Sequence, residues 1–514
     1  MWALIVSNAG RYLSFFGTGT KNARHSARQT DPLRSLILTT WHRHRDLIHN
    51  AINLFATTGV TAGLGFVYWA IGARLYSERS VGYGSAAISA ITLLGTVGMF
   101  GLGTVLIGEL PRRKDAAGLV SAALIVTSVG SLVLGVGFAL IAPHVSTNLV
   151  GIGGSPARVV LFVAGVVLTA FTLVADQATL GAMRSGIQLM RNAAFAIAKL
   201  MILPVAAFTI NGVVGTGLAF SWVAGMAVSL IPLAIKLRLS GTALLPKPDW
   251  RLLRGLGKTA LAHNWLNMSL YVPVLLMPVL VTAFVSASAN AAYYVAWMLA
   301  YILYLIPTSL STILFAIAAA DPAVIAGKLR FSLRLSFAIG IPAIAVLGLG
   351  SHLVLGIFGP AYVRTATVPL ILLLLGYIPM VPRTHYVAVC RARGQIPRAA
   401  VVLTIGAVME ITSAVIGAEL DGLVGLSAGL LLARLIEGAM TAPAVVRASF
   451  VQDRKKAVLS GERRAASAYQ EGQEAEISTI ISIAAVTTAS QVPIGMAQDT
   501  VPPKIDPDKD NKAS

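Results

Sequence analysis

The sequence predicts an all-α polytopic membrane protein with twelve transmembrane helices in two six-helix lobes. Of its 514 residues, 56% are hydrophobic and only 12% are charged, whereas charged residues make up about 25% of ordinary soluble domains. Apolar runs of about 20 residues, the length that crosses a bilayer as a helix, recur along the chain. They lack the period-two alternation of a transmembrane β-barrel. The composition therefore predicts a bundle of membrane-spanning helices.

The apolar runs divide into two sets of six that follow one another at similar spacing. The predicted spans are 48–73, 81–108, 117–142, 159–181, 192–210, 213–235, 259–284, 291–320, 335–357, 366–390, 398–419 and 423–446. From the third span onward, each start in the second set follows its counterpart in the first by about 205–218 residues. Parallel repeats of this kind are a transporter architecture, in which the substrate path runs between the halves.

The segments outside the spans define the domain boundaries that we expect. These are a basic tail (1–46), an N-lobe (47–236), an inter-lobe loop (237–258), a C-lobe (259–446) and a largely disordered tail (447–514). Within the last tail, the uncharged stretch 477–498 is borderline as a thirteenth crossing because it contains Gln491 and Pro493. We expect it to be interfacial or disordered.

Basic residues are concentrated at one end of the predicted bundle. Seven Lys and Arg lie in 1–46, six in 236–258 and nine after 446, whereas the loops at the other end hold four. By the positive-inside rule, both termini are cytoplasmic. The tails are then expected to lie on the anionic leaflet of the membrane, which accounts for the net charge of +19 without a nucleic-acid partner.

Catalytic and metal-binding motifs are absent from the sequence. There is no glycine-rich phosphate loop and no nucleophile elbow. The single cysteine, Cys390, permits no internal disulfide, and no His or Cys pair has metal-ligand spacing. We therefore expect neither an enzyme nor a bound metal or cofactor.

The candidate functional residues are the charges within or at the ends of the spans. An isolated charge at the bilayer centre costs at least about 2.5–3.5 kcal/mol, so each should face protein or water. The cations are Arg74, Lys199, Arg383 and Arg434, and the acids are Asp176, Glu410 and Glu437. A planar guanidinium suits a diphosphate because it donates two parallel hydrogen bonds. A desolvated carboxyl group suits ion coupling.

The pairing of these charges has alternatives. Asp176 and Lys199 lie roughly 8 Å and 10 Å from the turn that joins their spans, so they are expected to face each other. They either form a buried pair that fixes packing or line a polar cavity through which a charged group passes. Arg434 and Glu437, three residues apart, can pair with each other, while Glu410 faces the twelfth span if adjacent spans pack together. Arg383 lies near the inner mouth, where snorkelling is its alternative role.

Several short motifs resemble those of a known family. They are Asn53-Leu54, Gly63-Leu64-Gly65-Phe66, Ala73-Arg74-Leu75-Tyr76, Val81-Gly82, Gly101-Leu102-Gly103 through Leu110-Pro111-Arg112, Arg191-Asn192, Lys199 and Phe358-Gly359-x-x-Tyr362. In this order, over roughly 47–446, the chain resembles the polysaccharide-biosynthesis flippases of the MOP exporter superfamily, which are related to the lipid II flippases and MATE drug exporters. The Arg434/Glu437 pair departs from that family, whose last span is usually less charged.

The resemblance implies translocation of a polyprenyl-diphosphate-linked oligosaccharide across the bacterial plasma membrane by alternating access. Arg74, Lys199, Arg383 and Arg434 would then bind the diphosphate, and Asp176, Glu410 and Glu437 would couple transport to H⁺ or Na⁺. Glycan-synthesis enzymes are the protein partners expected of such a flippase. Two alternatives remain, namely a MATE-like exporter of amphipathic cations and a non-transporting scaffold of a glycan-synthesis complex.

Overall fold

The computed structural model describes residues 61–110, 117–145, 154–210, 215–239, 246–320 and 325–488. Nearly all of these residues are helical, as the apolar composition predicts. A bilayer favours this outcome because a helix satisfies its own backbone polar groups where no water is present.

Seven helical segments are described in the N-lobe. They are α1 (61–75), α2 (Glu78–Gly98), α3 (Leu102–Glu109), α4 (Ala117–Val145), α5 (Pro156–Gly181), α6 (Ser185–Thr209) and α7 (Thr216–Leu239). Ser77 and Ser155 begin α2 and α5 as N-caps, each accepting a hydrogen bond from the backbone N–H three residues later.

Seven further segments are described in the C-lobe and the helix that continues it. They are α8 (Trp250–Phe284), α9 (Ala287–Ala320), α10 (Ile325–Leu349), α11 (Ser351–Gly356), α12 (Pro360–Leu375), α13 (Tyr377–Ala392) and α14 (Ile396–Thr488). Asp249 is the N-cap of α8, where its carboxylate accepts a hydrogen bond from Leu252 N. α14 is interrupted at Asp421 and Gly422, whose backbone is not helical.

The segments correspond to the twelve predicted spans once the breaks are considered. α2 and α3 form the second span, α10 and α11 the ninth, α12 and α13 the tenth, and α14 the last two. Nine of the described helices are long and apolar enough to cross a membrane, and the bent pair α12–α13 is a tenth. α14 counts once although its break at Asp421 and Gly422 divides it into the last two predicted spans, and α1 is described only from residue 61. The predicted twelve-helix architecture is therefore confirmed.

Three of these breaks have a local cause in the sequence. Phe100 and Gly101 have φ of 48° and 73°, which ends α2 in a left-handed turn. The 41° bend between α12 and α13 precedes Pro379, which cannot donate to Leu375 O and whose ring crowds that carbonyl. Gly422, with φ of 52°, reverses the chain within α14.

The lobes meet where α2 packs against α8 and α9. Asn290 Nδ2 of α9 donates to Gly82 O at 2.8 Å and to Ser85 Oγ at 3.0 Å. A Cβ at position 82 would overlap the carbonyl of Ala287, so only glycine allows this approach. The largest hydrophobic core continues across the same contact and includes Tyr68 of α1 and residues of α9.

Helix α14 continues past the predicted end of the twelfth span as far as Thr488. The sequence predicts a largely disordered chain from 447 onward, whereas the structure is helical as far as Thr488. Residues 452–476 are rich in Ala, Glu, Lys and Arg, which favour helix, and extending a formed helix avoids the cost of nucleation. The basic tail 1–46 lies outside the described residues, as does 489–498 of the borderline segment 477–498.

The close approach at Gly82 generates a test. Gly82→Ala should lower the free energy of unfolding by about 1–3 kcal/mol because the added methyl group overpacks the contact between the lobes. The matched control is Gly63→Ala, since a Cβ at position 63 of α1 meets nothing within 4 Å. We expect that control to be neutral or stabilising. Thermal unfolding in detergent measures both, and equal midpoints for the two variants would contradict this description of the interface.

Candidate functional site

Six of the seven predicted site residues are buried within the helices. They are Asp176, Lys199, Arg383, Glu410, Arg434 and Glu437, and a seventh buried charge, Arg191, joins them. Arg74 is exposed at the end of α1. The buried charges form three groups, two in the N-lobe and one in the C-lobe.

The first group neutralises Asp176 on α5. Arg191 of α6 donates from Nε to Asp176 Oδ1 at 2.6 Å and from Nη2 to Oδ2 at 2.5 Å. Asn192 Nδ2 donates to the same carboxylate at 3.0 Å, and Arg191 Nη1 donates to Ser229 Oγ at 3.3 Å. Bidentate geometry with additional hydrogen bonds is what a buried ion pair requires to offset its desolvation.

The predicted pairing of Asp176 with Lys199 is therefore wrong. α6 begins at Ser185, so Arg191 lies about 9 Å along this helix and Lys199 about 21 Å along it. Asp176 precedes the end of α5 by only about 8 Å and lies level with Arg191. The predicted spans 159–181 and 192–210 leave Arg191 in the turn between them, whereas it lies nearly two turns inside α6.

The second group encloses Lys199 with aromatic rings. Its Nζ lies 4.0 Å from the ring centroid of Trp222, 4.7 Å from that of Phe195 and 5.0 Å from that of Tyr68. Lys199 is 4% exposed. We call Lys199 and these three rings the aromatic cage. Cation–π contacts of this kind stabilise an ammonium group by about 0.5–2 kcal/mol, and more when it is desolvated.

The packing of α6 and α7 positions the aromatic cage. A Cβ on Gly225 would lie 2.8 Å from Lys199 Cβ, so glycine allows α7 to approach the lysine closely. Tyr68 Oη lies 2.8 Å from Ser221 Oγ and donates to Leu218 O at 3.1 Å, which fixes the ring over the ammonium group. Only the i, i+4 spacing of Phe195 and Lys199 signals this arrangement in the sequence.

The third group, in the C-lobe, joins two arginines to two glutamates. Arg383 Nε of α13 donates to Glu437 Oε1 at 2.9 Å, and Arg434 Nε lies 3.6 Å from Glu410 Oε1. The expectation that Glu410 faces the twelfth span is confirmed. The alternative that Arg434 pairs with Glu437 is wrong, since Arg434 reaches back across the hairpin of α14 to Glu410. We call these four residues the charge quartet.

The charge quartet is incompletely hydrogen-bonded. Among the described residues, five of its buried polar atoms have no hydrogen-bond partner: Arg383 Nη2, Arg434 Nε, Glu437 Oε2 and both carboxylate oxygens of Glu410. Buried polar groups are nearly always paired in native proteins, so this incompleteness marks the quartet as a candidate functional site. Arg383 is 4% exposed and paired, so it does not snorkel.

The charge quartet contacts the bend in the tenth span. Arg434 Nη1 donates to Tyr304 Oη at 3.0 Å, and Tyr304 Oη in turn donates to Leu373 O just before the bend. A Cβ at Gly376, the residue at the bend, would lie 3.2 Å from Arg434 Nη1. Arg434 is therefore connected through Tyr304 to the residues just before the bend between α12 and α13.

Arg74 joins the lobes at the end of the bundle opposite the basic loops. Its Nε donates to Ile357 O at 2.9 Å and its Nη2 to Gly356 O at 3.0 Å, which caps the C-terminus of α11. Nearby, Phe66 of α1 packs edge-on against Phe358, with ring centroids 5.5 Å apart. The structure therefore places Arg74 apart from the other residues that are predicted to bind the diphosphate.

Aromatic rings connect the cage to the C-lobe. The ring centroids of Tyr68 and Trp69 are 5.3 Å apart, and those of Trp69 and Tyr294 of α9 are 4.5 Å apart. Tyr294 contacts Trp297, which stacks on the exposed Tyr301 at 5.0 Å. Because this row crosses from α1 to α9, the lysine site lies one ring behind the contact between the lobes. Within the described ranges, no cluster of three His, Cys, Asp or Glu side chains could hold a metal ion.

Solved structures of transporters share this architecture. An inward-facing multidrug resistance MATE transporter of the MOP superfamily matches with a TM-score of 0.58 at 15% identity, covering 79% of this chain and 99% of that one. A MOP superfamily transporter from Pyrococcus furiosus matches with a TM-score of 0.54 at 14% identity, covering 79% and 96%. An outward-facing MATE transporter matches with a TM-score of 0.52 at 15% identity, with the same coverage of 79% and 96%.

No family model and no curated protein sequence matches the chain. At identities of 14–15%, the structural matches show the fold alone. The chain has the fold of the MATE transporters of the MOP superfamily.

The observed partner of Asp176 makes a specific prediction about stability. Asp176→Asn should cost about 3–5 kcal/mol of unfolding free energy, because Arg191 would remain buried without its carboxylate. Adding Arg191→Met should recover much of that loss, whereas adding Lys199→Met should not. Thermal unfolding of the single and double variants in detergent measures the coupling. Rescue of Asp176→Asn by Lys199→Met but not by Arg191→Met would restore the rejected pair.

Proposed function

We propose that the protein flips a polyprenyl-diphosphate-linked oligosaccharide from the inner to the outer leaflet of the bacterial plasma membrane, for cell-surface polysaccharide biosynthesis. The observation that carries the proposal is the buried ammonium group of Lys199, which has no carboxylate partner among the described residues. A buried cation held only by aromatic rings is available to an anionic ligand, and a diphosphate supplies such an anion.

The balance of buried charge supports an anionic rather than a cationic substrate. The buried set contains four cations and three acids. Each acid lies opposite an arginine: Asp176 opposite Arg191, Glu437 opposite Arg383, and Glu410 opposite Arg434. Lys199 is the cation left over. A cationic substrate would meet no unpaired acid in this set and would be repelled by the surplus charge.

The cationic side chains that we propose to bind the diphosphate lie in both lobes. Lys199 contributes from the N-lobe, and Arg383 contributes from the C-lobe through its unpaired Nη2. Arg434 would bind only if it left Glu410, at 3.6 Å the looser of the two arginine pairs in the charge quartet. Arg74 would contribute once its contacts with α11 opened. Movement of the lobes between inward-open and outward-open states would expose the same cations to each leaflet in turn.

The acids of the charge quartet are the better candidates for coupling to H⁺ or Na⁺. The carboxylate of Asp176 accepts hydrogen bonds from Arg191 and Asn192, so it is less available to bind an ion. Glu410 has no hydrogen bond to either carboxylate oxygen, and Glu437 has a free Oε2. Neutralising either glutamate would release its arginine, and Arg434 is hydrogen-bonded to the bend of the tenth span through Tyr304.

A MATE-like exporter of amphipathic cations is the second candidate. The structural neighbours support it because they include MATE transporters in inward-facing and outward-facing conformations. The aromatic cage is also chemically suited to a cation, but Lys199 already occupies it. The neighbour from Pyrococcus furiosus is described as having a binding pocket of reverse polarity that suggests a different function, so the fold accommodates more than one pocket charge. Glycan-synthesis enzymes are proposed partners of either a flippase or a non-transporting scaffold.

Reconstituted protein tests the proposal directly. Purified full-length chain in proteoliposomes should accelerate transfer of a fluorescent polyprenyl-diphosphate sugar between leaflets. Lys199→Met should reduce the rate at least about tenfold, since it removes one charged hydrogen bond to the diphosphate. Its fold should be intact because methionine fills the same volume and needs no partner.

The matched control is Lys236→Met, a substitution of the same type near the end of α7, outside the aromatic cage. We expect it to retain most of the flipping rate. Export of a cationic dye without flipping of the diphosphate lipid would favour the MATE-like alternative. No transport of either class by stably folded protein would favour the scaffold.

A further inference from the structure

A basic site distinct from the aromatic cage of Lys199 lies at the end of the C-lobe where the basic loops are found. A cavity of about 180 Å³ is lined by Tyr386, Val389, Cys390, Arg393, Gln395, Arg398, Ala444 and Arg447. We call it the basic pocket. Its floor is formed by the buried side chains of Tyr386, Val389 and Cys390. Its three arginines are exposed at the rim, and none of its lining residues is acidic.

The turn between α13 and α14 builds one side of the basic pocket. Gly394 adopts a left-handed conformation with φ of 69°, and Gln395 N donates to Cys390 O at 2.8 Å. This closes α13 and starts α14 at Ile396. Arg393 before the turn and Arg398 in the first turn of α14 are thereby brought to one opening. The first turn of α14 adds the positive end of a helix dipole.

The other side comes from the distant end of the same long helix. Arg447 lies one turn beyond Pro443 and donates from Nε to Pro443 O at 3.2 Å, which orients its guanidinium beside the opening. Three arginines thus line one partly enclosed volume, which is much larger than the roughly 10–15 Å³ of such volume that one water molecule needs. Like charges brought together without an acid among the lining residues repel one another, and an anion removes that repulsion.

We propose that the basic pocket binds a phosphate group, carried by an anionic phospholipid of the leaflet at this end of the bundle or free in solution. Arginine forks donate parallel hydrogen bonds to phosphate oxygens, and Tyr386 and Gln395 supply neutral donors. Basic pockets between helices at the inner face of a membrane bind anionic headgroups in this way. The basic pocket shares no residue with the charge quartet, so phosphate binding in the pocket can be tested separately from the quartet.

Native mass spectrometry of the full-length protein tests this site. The purified chain in detergent is titrated with short-chain phosphatidylglycerol, with phosphatidylcholine of the same acyl length, and with inorganic phosphate as competitor. We expect phosphatidylglycerol to bind and the zwitterionic lipid to bind at least about tenfold more weakly. Displacement of the lipid by millimolar phosphate would assign the site to free phosphate, whereas resistance to it would assign the site to the lipid.

Two variants and a matched control make the result specific. The triple change Arg393→Gln, Arg398→Gln and Arg447→Gln should weaken phosphatidylglycerol binding at least about tenfold. The control is Arg238→Gln, Arg251→Gln and Arg254→Gln, which removes the same charge from exposed positions outside the pocket at the same end of the bundle. We expect that control to stay within about twofold of the unchanged protein.

Ala444→Phe provides a second variant that fills the basic pocket without changing its charge. It should also abolish the binding, and it keeps the test decisive if the triple change impairs folding. Cys390 adds a separate readout, because it is the one cysteine of the chain and lies at the floor of the pocket. Bound phosphate should slow its reaction with a small neutral thiol reagent. Equal lipid binding by the triple variant and its control, or by Ala444→Phe and the unchanged protein, would overturn the proposal.

Discussion

The cost of placing charge inside a bilayer organises the interior of this protein. A buried carboxylate or guanidinium is tolerated when its partner and further hydrogen bonds offset desolvation. Asp176 and Arg191 meet that condition fully, with two parallel hydrogen bonds and support from Asn192 and Ser229. The charge quartet meets it partly, and Lys199 meets it only through aromatic rings. Hydrogen bonding and charge pairing are thus complete for Asp176 and Arg191, which suits a structural role. They are incomplete for the charge quartet and Lys199, the groups for which we propose ion coupling and ligand binding.

The same constraint acts on the backbone and determines how the lobes fit together. Every helix must satisfy its own polar groups, so a break such as those at Gly101, Pro379 and Gly422 needs a local cause and neighbouring helices that cover it. Small residues then let backbones approach closely. Gly82 lies against Ala287 at the contact between the lobes, and Gly417 lies against Gly425 within the α14 hairpin. Stability of these contacts depends on packing rather than on the hydrophobic effect, because lipid tails are as apolar as the side chains.

Architecture was predictable from the sequence to a greater extent than side-chain partners were. Apolar length and the distribution of Lys and Arg depend on the bilayer alone, so they predict twelve spans without knowledge of packing. Partner choice depends on where each helix begins. Placing Arg191 in a turn rather than inside α6 was enough to assign Asp176 the wrong partner. Arg434 likewise bonds across the hairpin to Glu410 rather than to Glu437 three residues away, because tertiary packing outweighs the small gain of a local pair. The basic pocket could not be foreseen, since its two sides come from segments 46 to 61 positions apart in the sequence.

We propose that Lys199, the buried cation without a carboxylate partner among the described residues, selects an anionic ligand, and a binding measurement can establish this. The purified chain would be titrated in detergent with a polyprenyl diphosphate and, separately, with an amphipathic organic cation. The three arginines of the basic pocket would be changed to glutamine so that they do not contribute. We expect the diphosphate to bind and its affinity to fall at least about tenfold in Lys199→Met. Binding of the cation in preference to the diphosphate, with diphosphate affinity unchanged by Lys199→Met, would contradict the claim.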